Sequence, residues 1–129
     1  TPPLTLHTAS NYDYRTPKNI RRILQTINMH LKAVISATSK EEAEKICDQL
    51  LEKNLLAGTL IIDGDSRYHW KGEIVNDTYY NIHAYTLESK KQEIIDEVRK
   101  IHSDETPIIE YTEIDGNDDF LKWIEGNVE

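Results

Sequence analysis

Hydrophobic and polar positions along residues 32–114 follow two periods in turn, one typical of strands and one typical of helices. Runs rich in β-branched and aromatic residues, bounded by turn residues, predict strands. These runs are residues 32–37, 55–70, 73–86 and 108–114. The stretches after the first and third runs repeat apolar residues at helical spacing, and each predicts a helix with one buried face. The predicted order is β-α-β-β-α-β.

Both predicted helices begin with a capping box and continue as an apolar stripe. Ser39 and Glu42 form the first box, and Ser89 and Gln92 form the second. The first stripe consists of Ala43, Ile46, Cys47, Leu50 and Leu51 before an exit at Asn54, and the second of Leu87, Ile94, Ile95, Val98 and Ile101. Two one-sided helices can cover one face of a four-stranded antiparallel sheet. We therefore predict an α+β fold of the ferredoxin-like kind.

A further helix is predicted at each end of this body. Thr16 and Pro17 suit the cap and first position of a short N-terminal helix, whose stripe is Ile20, Ile23, Leu24 and Ile27. Beyond the turn at 115–117, a C-terminal helix carries Phe120, Leu121, Trp123 and Ile124. We divide the chain into an N-terminal arm with this short helix, residues 1–30, and a ferredoxin-like domain, residues 31–129. The basic arm is expected to dock on the acidic body, with a neighbouring subunit or an anionic membrane as alternatives.

The segment Tyr68-His69-Trp70-Lys71-Gly72 joins the two longest predicted strands. Gly72 supplies the positive φ that a tight hairpin turn needs. Strands of this length exceed the usual five or six residues, so two helices cannot cover their outer halves. Amphipathic aromatic residues on an uncovered ribbon are typical of a partly wet interface. We expect Tyr68, Trp70 and Tyr85 to pack between subunits; covering the second sheet face within a monomer is the alternative.

Charge is unevenly distributed in this 129-residue chain of net charge −8. Residues 1–30 carry four bases and one acid, whereas residues 31–129 carry 11 bases and 22 acids. An acidic body repels phosphate, so no nucleic-acid partner is expected. The acidity fits plain solubility, and attraction of divalent cations is the functional alternative. No run of 18 apolar residues predicts a membrane span, and a single cysteine, Cys47, favours a reducing cytoplasmic location.

Catalytic chemistry is poorly represented in the sequence. The five histidines lack metal-site spacing, and Cys47 lies on an apolar stripe. No nucleotide-binding glycine loop or nucleophile elbow is present. The third strand lacks the aromatic motif of RNA recognition modules, which have the same element order. We therefore predict no catalysis; an enzyme whose site is built at the interface between subunits is the alternative.

Four stretches in the body resemble, in order, the CutA family of divalent-cation tolerance proteins. They are residues 51–57, residues 68–74, His102 with 106–109, and residues 120–124. The resemblance implies a ferredoxin-like subunit that forms a homotrimer, with hairpins pairing across subunits, and a link to tolerance of copper and other divalent ions. The architecture is also similar to that of PII signalling proteins. This implies, as the alternative, an effector sensor with a ligand between subunits, for which Arg67, Lys71 and Lys90 are candidate cationic groups.

The sequence departs from the family where copper ligands are concerned. Gly58 stands where the family usually has a cysteine, and Ile35-Ser36 stands where copper-linked bacterial members have another. Copper(I) prefers thiolate ligands. The resemblance therefore implies no certain cofactor, weak binding of copper or another divalent cation, and His102 as the candidate ligand, assisted by acids such as Asp104 and Glu105.

Overall fold

The computed structural model describes residues 15–20 and 29–129. The strands are β1 (His30–Ile35), β2 (Gly58–Trp70), β3 (Glu73–Leu87) and β4 (Ile109–Glu113), and the helices are α1 (Lys40–Glu52), α2 (Lys91–Ile101) and α3 (Asp118–Asn127). Residues 18–20 are helical, but the stripe residues Ile23, Leu24 and Ile27 lie outside the described residues. The division of the chain at residue 30 stays a prediction.

The four strands form one sheet in the order β2-β3-β1-β4, and every neighbouring pair is antiparallel. This order, with α1 and α2 as the two connections, is the ferredoxin-like arrangement. The predicted α+β class and the β-α-β-β-α-β-α order are confirmed.

The main core lies between the sheet and the first two helices. From α1 it receives Ala43, Ile46, Cys47 and Leu50, and from α2 it receives Ile94 and Val98. Alternate residues of the central strands complete it, namely Ala33, Ile35, Ile82 and Ala84. The predicted stripe of α1 therefore faces the core, as do Ile94, Val98 and Ile101 of the second stripe, because 3.6-residue periodicity keeps such positions on one side of a helix.

The ends of α1 follow from local residues. The Ser39 side chain accepts a hydrogen bond from the backbone N–H of Glu42 at 3.1 Å. At the other end Asn54 adopts φ 57°, and the N–H groups of Asn54 and Leu55 donate to the carbonyls of Leu51 and Leu50. This is the Schellman pattern, in which a left-handed residue satisfies the last carbonyls of a helix. The predicted N-cap at Ser39 and the exit at Asn54 are confirmed, but the Glu42 carboxylate accepts from the backbone N–H of Thr38 instead of completing the capping box at Ser39.

The second predicted capping box is wrong. Ser89 lies within a 3-10 turn at Glu88–Lys90 and therefore does not cap α2. The N-cap of α2 is Lys90, whose side chain makes no capping hydrogen bond. Leu87 belongs to β3 instead of to the face of α2, and it packs with Ile124. A Ser and a Gln three residues apart also fit a tight turn, because Ser competes locally for backbone groups.

The C-terminal helix covers part of the other sheet face. Ala84 lies in the main core, whereas its strand neighbour Tyr85 lies in a second cluster with Ile124 and Phe120 of α3. Successive strand residues point to opposite faces, so α3 packs opposite α1 and α2. The centroids of the Tyr85 and Phe120 rings are 5.1 Å apart.

The hairpin of β2 and β3 extends well past the four-stranded sheet. Its register is unbroken from Gly58↔Tyr85 to Trp70↔Glu73, whereas β1 pairs with β3 along Ile82–Leu87. Residues 62–70 and 73–81 therefore form a two-stranded extension, the ribbon. Lys71 and Gly72 have φ 49° and 81° at its tip. The turn prediction at Gly72 is confirmed.

Candidate functional site

A cleft of about 900 Å³ lies between the ribbon and the loop that follows α2. The ribbon side includes Tyr68 and Trp70, and the loop side is formed by Ser103–Thr106 with Ile108. We call these loop residues the cleft wall. Small-molecule sites commonly have volumes of about 300–1,000 Å³, so this cleft has the size of a ligand site.

Aromatic and charged side chains join the wall to the ribbon. The Tyr79 hydroxyl donates to Asp104 at 2.6 Å, and the Tyr79 ring meets Tyr68 edge-on with centroids 5.6 Å apart. Burial, reinforced by the hydrogen bond to Asp104, raises the pKa of Tyr79, so its hydroxyl remains a donor. At the tip, Lys71 Nζ lies 3.7 Å from Glu105 Oε2. The wall is thereby held against the ribbon at two points.

Glu42 holds the wall from behind. Its Oε2 accepts from the backbone N–H of Ser103 at 2.9 Å, and its Oε1 accepts from the backbone N–H of Thr38 at 3.0 Å. Burial raises the pKa of Glu42, but the hydrogen bonds from Ser103 and Thr38 outweigh it, and the pKa lies below its usual value. One carboxylate thus joins three segments: the start of α1, the loop before it and the cleft wall.

His102 lies directly behind the wall, and its side chain is 1% exposed. A backbone carbonyl only accepts and a backbone N–H only donates. Nε2 must therefore carry the proton that goes to the Ser36 carbonyl at 2.6 Å, and Nδ1 accepts from the N–H of Asp104 at 2.9 Å. Both ring nitrogens are engaged with backbone, so a metal would have to displace one of these bonds. The ligand role of His102 stays a prediction.

Ser36, His102 and Glu42 have the residue types of a hydrolase triad. Ser36 Oγ lies 3.4 Å from Nε2, and Glu42 Oε1 lies 3.6 Å from Nδ1. In a triad the acid receives Nδ1–H and the serine is deprotonated by Nε2. Here the proton sits on Nε2, and Ser36 Oγ accepts from the N–H of Ile108 at 2.9 Å. The polarity is reversed, so this group is a structural hydrogen-bond network.

The four residues predicted to pack between subunits do not share one location. Tyr68 and Trp70 line the cleft, and Gly72 makes the turn beside it. Tyr85 packs against Phe120 of its own chain on the far part of the sheet. Contacts of all four with another subunit stay predictions. Sequence reasoning missed the roles of Tyr79 and of Glu42 in holding the wall, because their partners are distant in the sequence.

Metal-binding side chains do not converge within the part of the chain that the structure describes. Over residues 15–20 and 29–129, no group of three or more His, Cys, Asp or Glu side chains is placed to hold an ion. A complete metal centre therefore does not fit the described residues of a single copy. In the same part of the chain, no helix is long and apolar enough to span a bilayer.

The fold and the cleft define a class of protein: a ferredoxin-like α+β domain whose second hairpin is extended into a ribbon. A family model described as CutA1 divalent ion tolerance protein matches residues 31–127, and the chain belongs to this family. The confirmed resemblance concerns the domain; residues 1–30 lie outside the match.

Relatives of known name agree with this assignment. The divalent-cation tolerance protein CutA of Archaeoglobus fulgidus is 40% identical over 102 residues, which is 78% of this chain and 100% of that protein. The CutA of Thermotoga maritima is 35% identical and covers 70% of this chain and 90% of its own length. These relatives are named as tolerance proteins and not as enzymes.

Solved structures show the same fold. The Archaeoglobus fulgidus structure, described as a periplasmic divalent cation tolerance protein, has a TM-score of 0.76 at 40% identity and covers 78% of this chain and 100% of its own. The divalent cation tolerance protein of Thermus thermophilus has a TM-score of 0.76 at 28% identity, with the same coverage of both chains.

Proposed function

We propose that this protein is a homotrimer that takes part in the response to divalent metal ions, without catalysis of its own. The names of its relatives support the metal response. The observation that carries the assembly is the ribbon, which extends past the sheet with exposed apolar side chains.

The ribbon and the adjoining sheet face have apolar surface to bury. Leu60 is 61% exposed and Ile74 is 74% exposed, and Ile62 and Ile108, which line the cleft, are exposed as well. Full burial of such a side chain contributes about 2 kcal/mol. A two-stranded ribbon is marginal in water on its own, and its free edge is open to further pairing. Packing against another copy would bury the apolar side chains of the ribbon and cover its free edge.

Solution mass tests the assembly. Light scattering should give about three times the chain mass of 15.0 kDa. Tyr68→Ala and Trp70→Ala should lower this mass at micromolar concentration. Trp123→Ala is the matched control, because Trp123 and Trp70 are similarly exposed, 44% and 38%, and Trp123 lies on α3 away from the ribbon. A wild-type particle of 15.0 kDa would refute the trimer, and unchanged mass in both ribbon variants would refute their packing role.

Cation binding is proposed at the cleft wall, where Asp104 and Glu105 line the cleft and His102 lies behind them. Calorimetric titration of copper(II) and zinc should give weak binding that falls in Glu105→Gln, which changes an exposed carboxylate. The same titration of His102→Ala tests the predicted ligand. Because His102 bonds the backbone through both nitrogens, thermal unfolding of this variant must accompany the titration. Isotherms identical to wild type would remove His102 as a ligand.

A sensor of small effectors, similar to PII proteins, is the second candidate. The size of the cleft and the presence of Arg67 beside Tyr68 and Trp70 favour it. Lys90 ends the 3-10 turn and does not line this cleft. A thermal-shift screen of nucleotides and anionic metabolites separates the candidates, because a ligand of the native state raises the melting temperature. A hit should be lost in Arg67→Ala.

A reducing, cytoplasmic location is proposed because the single thiol, Cys47, is buried and unpaired. The Archaeoglobus fulgidus relative is described as periplasmic. Fractionation of source cells with an antibody to the protein distinguishes the two compartments.

A further inference from the structure

Sulfur is scarce in this chain, which contains one cysteine and one methionine. Copper(I) is a soft ion that selects thiolate and thioether ligands, whereas oxygen and imidazole ligands suit harder or borderline divalent ions. The accessibility of the thiol therefore decides whether copper(I) finds a thiolate ligand in this chain.

The only thiol is not available as a ligand. Cys47 is 4% exposed and packs in the main core beside Ile46 and Leu50 of α1. Burial raises the pKa of the Cys47 thiol, which disfavours the thiolate that binds metal. Reaching this sulfur would require α1 to leave the sheet.

The start of β2 is closed to a metal ligand by an aromatic side chain. A Cβ atom added at Gly58 would lie 2.6 Å from the Trp123 ring, closer than non-bonded carbons approach. Trp123 stacks on Phe120 with ring centroids 6.2 Å apart, and Phe120 in turn packs edge-on against Tyr85. The place where the family resemblance leads one to expect a cysteine is therefore filled by packing from α3.

The end of β1 is committed to hydrogen bonding. Ser36 is 1% exposed, and its hydroxyl accepts from the N–H of Ile108 at 2.9 Å. Its backbone N–H donates to the Ile108 carbonyl at 3.0 Å, so this residue joins β1 to the start of β4. The second position at which a cysteine is expected thus has a structural role in this chain.

We propose that this chain offers copper(I) no thiolate ligand and that any cation it holds is bound through oxygen and imidazole ligands. The second half of this statement rests on the proposed function, and the first half does not. Trp123 and Ser36 occupy, with packing and hydrogen bonds, the two places where the family resemblance leads one to expect a cysteine. A protein without an accessible thiolate is expected to bind divalent copper in preference to the monovalent ion.

Competition with a coloured copper(I) chelator tests this proposal. The complex of copper(I) with bicinchoninate is titrated anaerobically with the full-length protein, and its absorbance should remain unchanged. Removal of one equivalent of copper(I) per chain by the wild type would overturn the proposal. Cys47→Ala would then show whether the buried thiol had been reached.

A gain of binding tests the role assigned to Trp123. Gly58→Cys combined with Trp123→Ala presents a thiol at the start of β2 with room for its Cβ, and this variant should take up more copper(I) in the competition than a variant without the added thiol. Gly58→Ala with Trp123→Ala is the matched control without sulfur. Circular dichroism checks folding of both. A folded cysteine variant that behaves like its control would refute the role of Trp123 as the group that fills a ligand position.

Divalent ions form a separate arm. Calorimetry with manganese(II) and zinc on the wild type addresses the proposed cation response and not the copper(I) inference. Absence of divalent binding with no copper(I) uptake would refute the proposed function and leave the inference standing. Divalent binding together with copper(I) uptake would refute the copper(I) inference and leave the proposed function standing.

Discussion

Glu42 shows how one side chain can serve both a helix and a distant loop. It belongs to the first turn of α1, where a negative charge is favourable, and it accepts the N–H of Ser103 from 61 residues away. Without this carboxylate, the N–H groups of Ser103 and Thr38 would lose their acceptor. The shape of the cleft wall therefore depends on a residue outside the cleft.

Replacing Glu42 with Gln should lower the free energy of unfolding by about 1–3 kcal/mol at pH 7, since hydrogen bonds to charged groups contribute this much. The pKa of Glu42 is lowered in the folded state. Its contribution is therefore present above the pKa of the unfolded chain and is lost as pH falls through the folded value. Urea titrations at pH 7 and pH 3 should show the difference between wild type and variant shrinking.

Glu41→Gln is the matched control, because Glu41 is the exposed neighbour of Glu42 in the same helical turn. It should change stability by less than about 0.5 kcal/mol at either pH. An equal loss of unfolding free energy in both variants would mean that the charge at the start of the helix, and not the hydrogen bonds from Glu42 to the wall, stabilises the protein.

Gly58 and Trp123 should be energetically coupled. Gly58→Ala places a methyl group against the Trp123 ring and should destabilise the protein by about 1–3 kcal/mol, the usual cost of overpacking. In a Trp123→Ala background the same change should cost less, because the obstructing ring is gone. A double-mutant cycle from urea denaturation measures the difference. Additive changes in unfolding free energy would contradict the contact between the added methyl group and the Trp123 ring.

Among the elements, the ribbon was the easiest to predict and the start of β2 was the hardest. Aromatic residues, Lys71 and Gly72 mark the turn by local chemistry, and the turn lies at these two residues. Leu55 and Leu56 fit the start of a strand by residue type. They are instead buried in the segment after α1, and β2 begins at Gly58. Hydrophobicity alone does not separate a buried loop from a strand.

The cleft was not predictable from the sequence. Its two sides come from the ribbon and from residues 103–108, and the contacts between them, such as Tyr79 with Asp104, join residues 25 positions apart in the sequence. Tyr68 and Trp70 were singled out by residue type. Exposed aromatic residues indicate an interface, but they do not indicate which surface they contact. His102 was singled out by resemblance, and its burial could not be read from its neighbours.

The tip of the ribbon should be sensitive to glycine replacement. Gly72 has φ 81°, so Gly72→Ala should cost about 1–2 kcal/mol, the penalty of the left-handed region for a residue with a Cβ. Gly64→Ala is the matched control in the same ribbon, because Gly64 has open space around its Cβ position. Thermal unfolding of both variants checks this. Equal melting temperatures would contradict the turn geometry.

At the scale of the molecule, shape and charge act in opposite directions on assembly. The exposed apolar side chains along the ribbon favour contact between copies. The net charge of −8 opposes it, because copies of like charge repel one another. The arrangement of copies in the proposed trimer does not follow from one chain, since composition sets the balance of these forces but not the contact geometry.

Salt should therefore tighten the assembly. Raising ionic strength from about 0.01 M to about 0.15 M shortens the screening length from about 30 Å to about 8 Å, which weakens repulsion between copies. Sedimentation at low micromolar concentration should show a larger assembled fraction at the higher salt. A smaller fraction would mean that attractive ion pairs, such as Lys71 with an acid of another copy, dominate the contact.

The ladder between β2 and β3 keeps one register for all 13 residues of β2, with no bulge along that strand. Such a ladder can gain or lose two residues in each strand at a time without changing which side chains share a face. Adding two residues to each strand lengthens the hairpin by about 7 Å. The distance from the globular body to the tip is thus an adjustable dimension, which evolution or an engineer can alter while the core stays untouched.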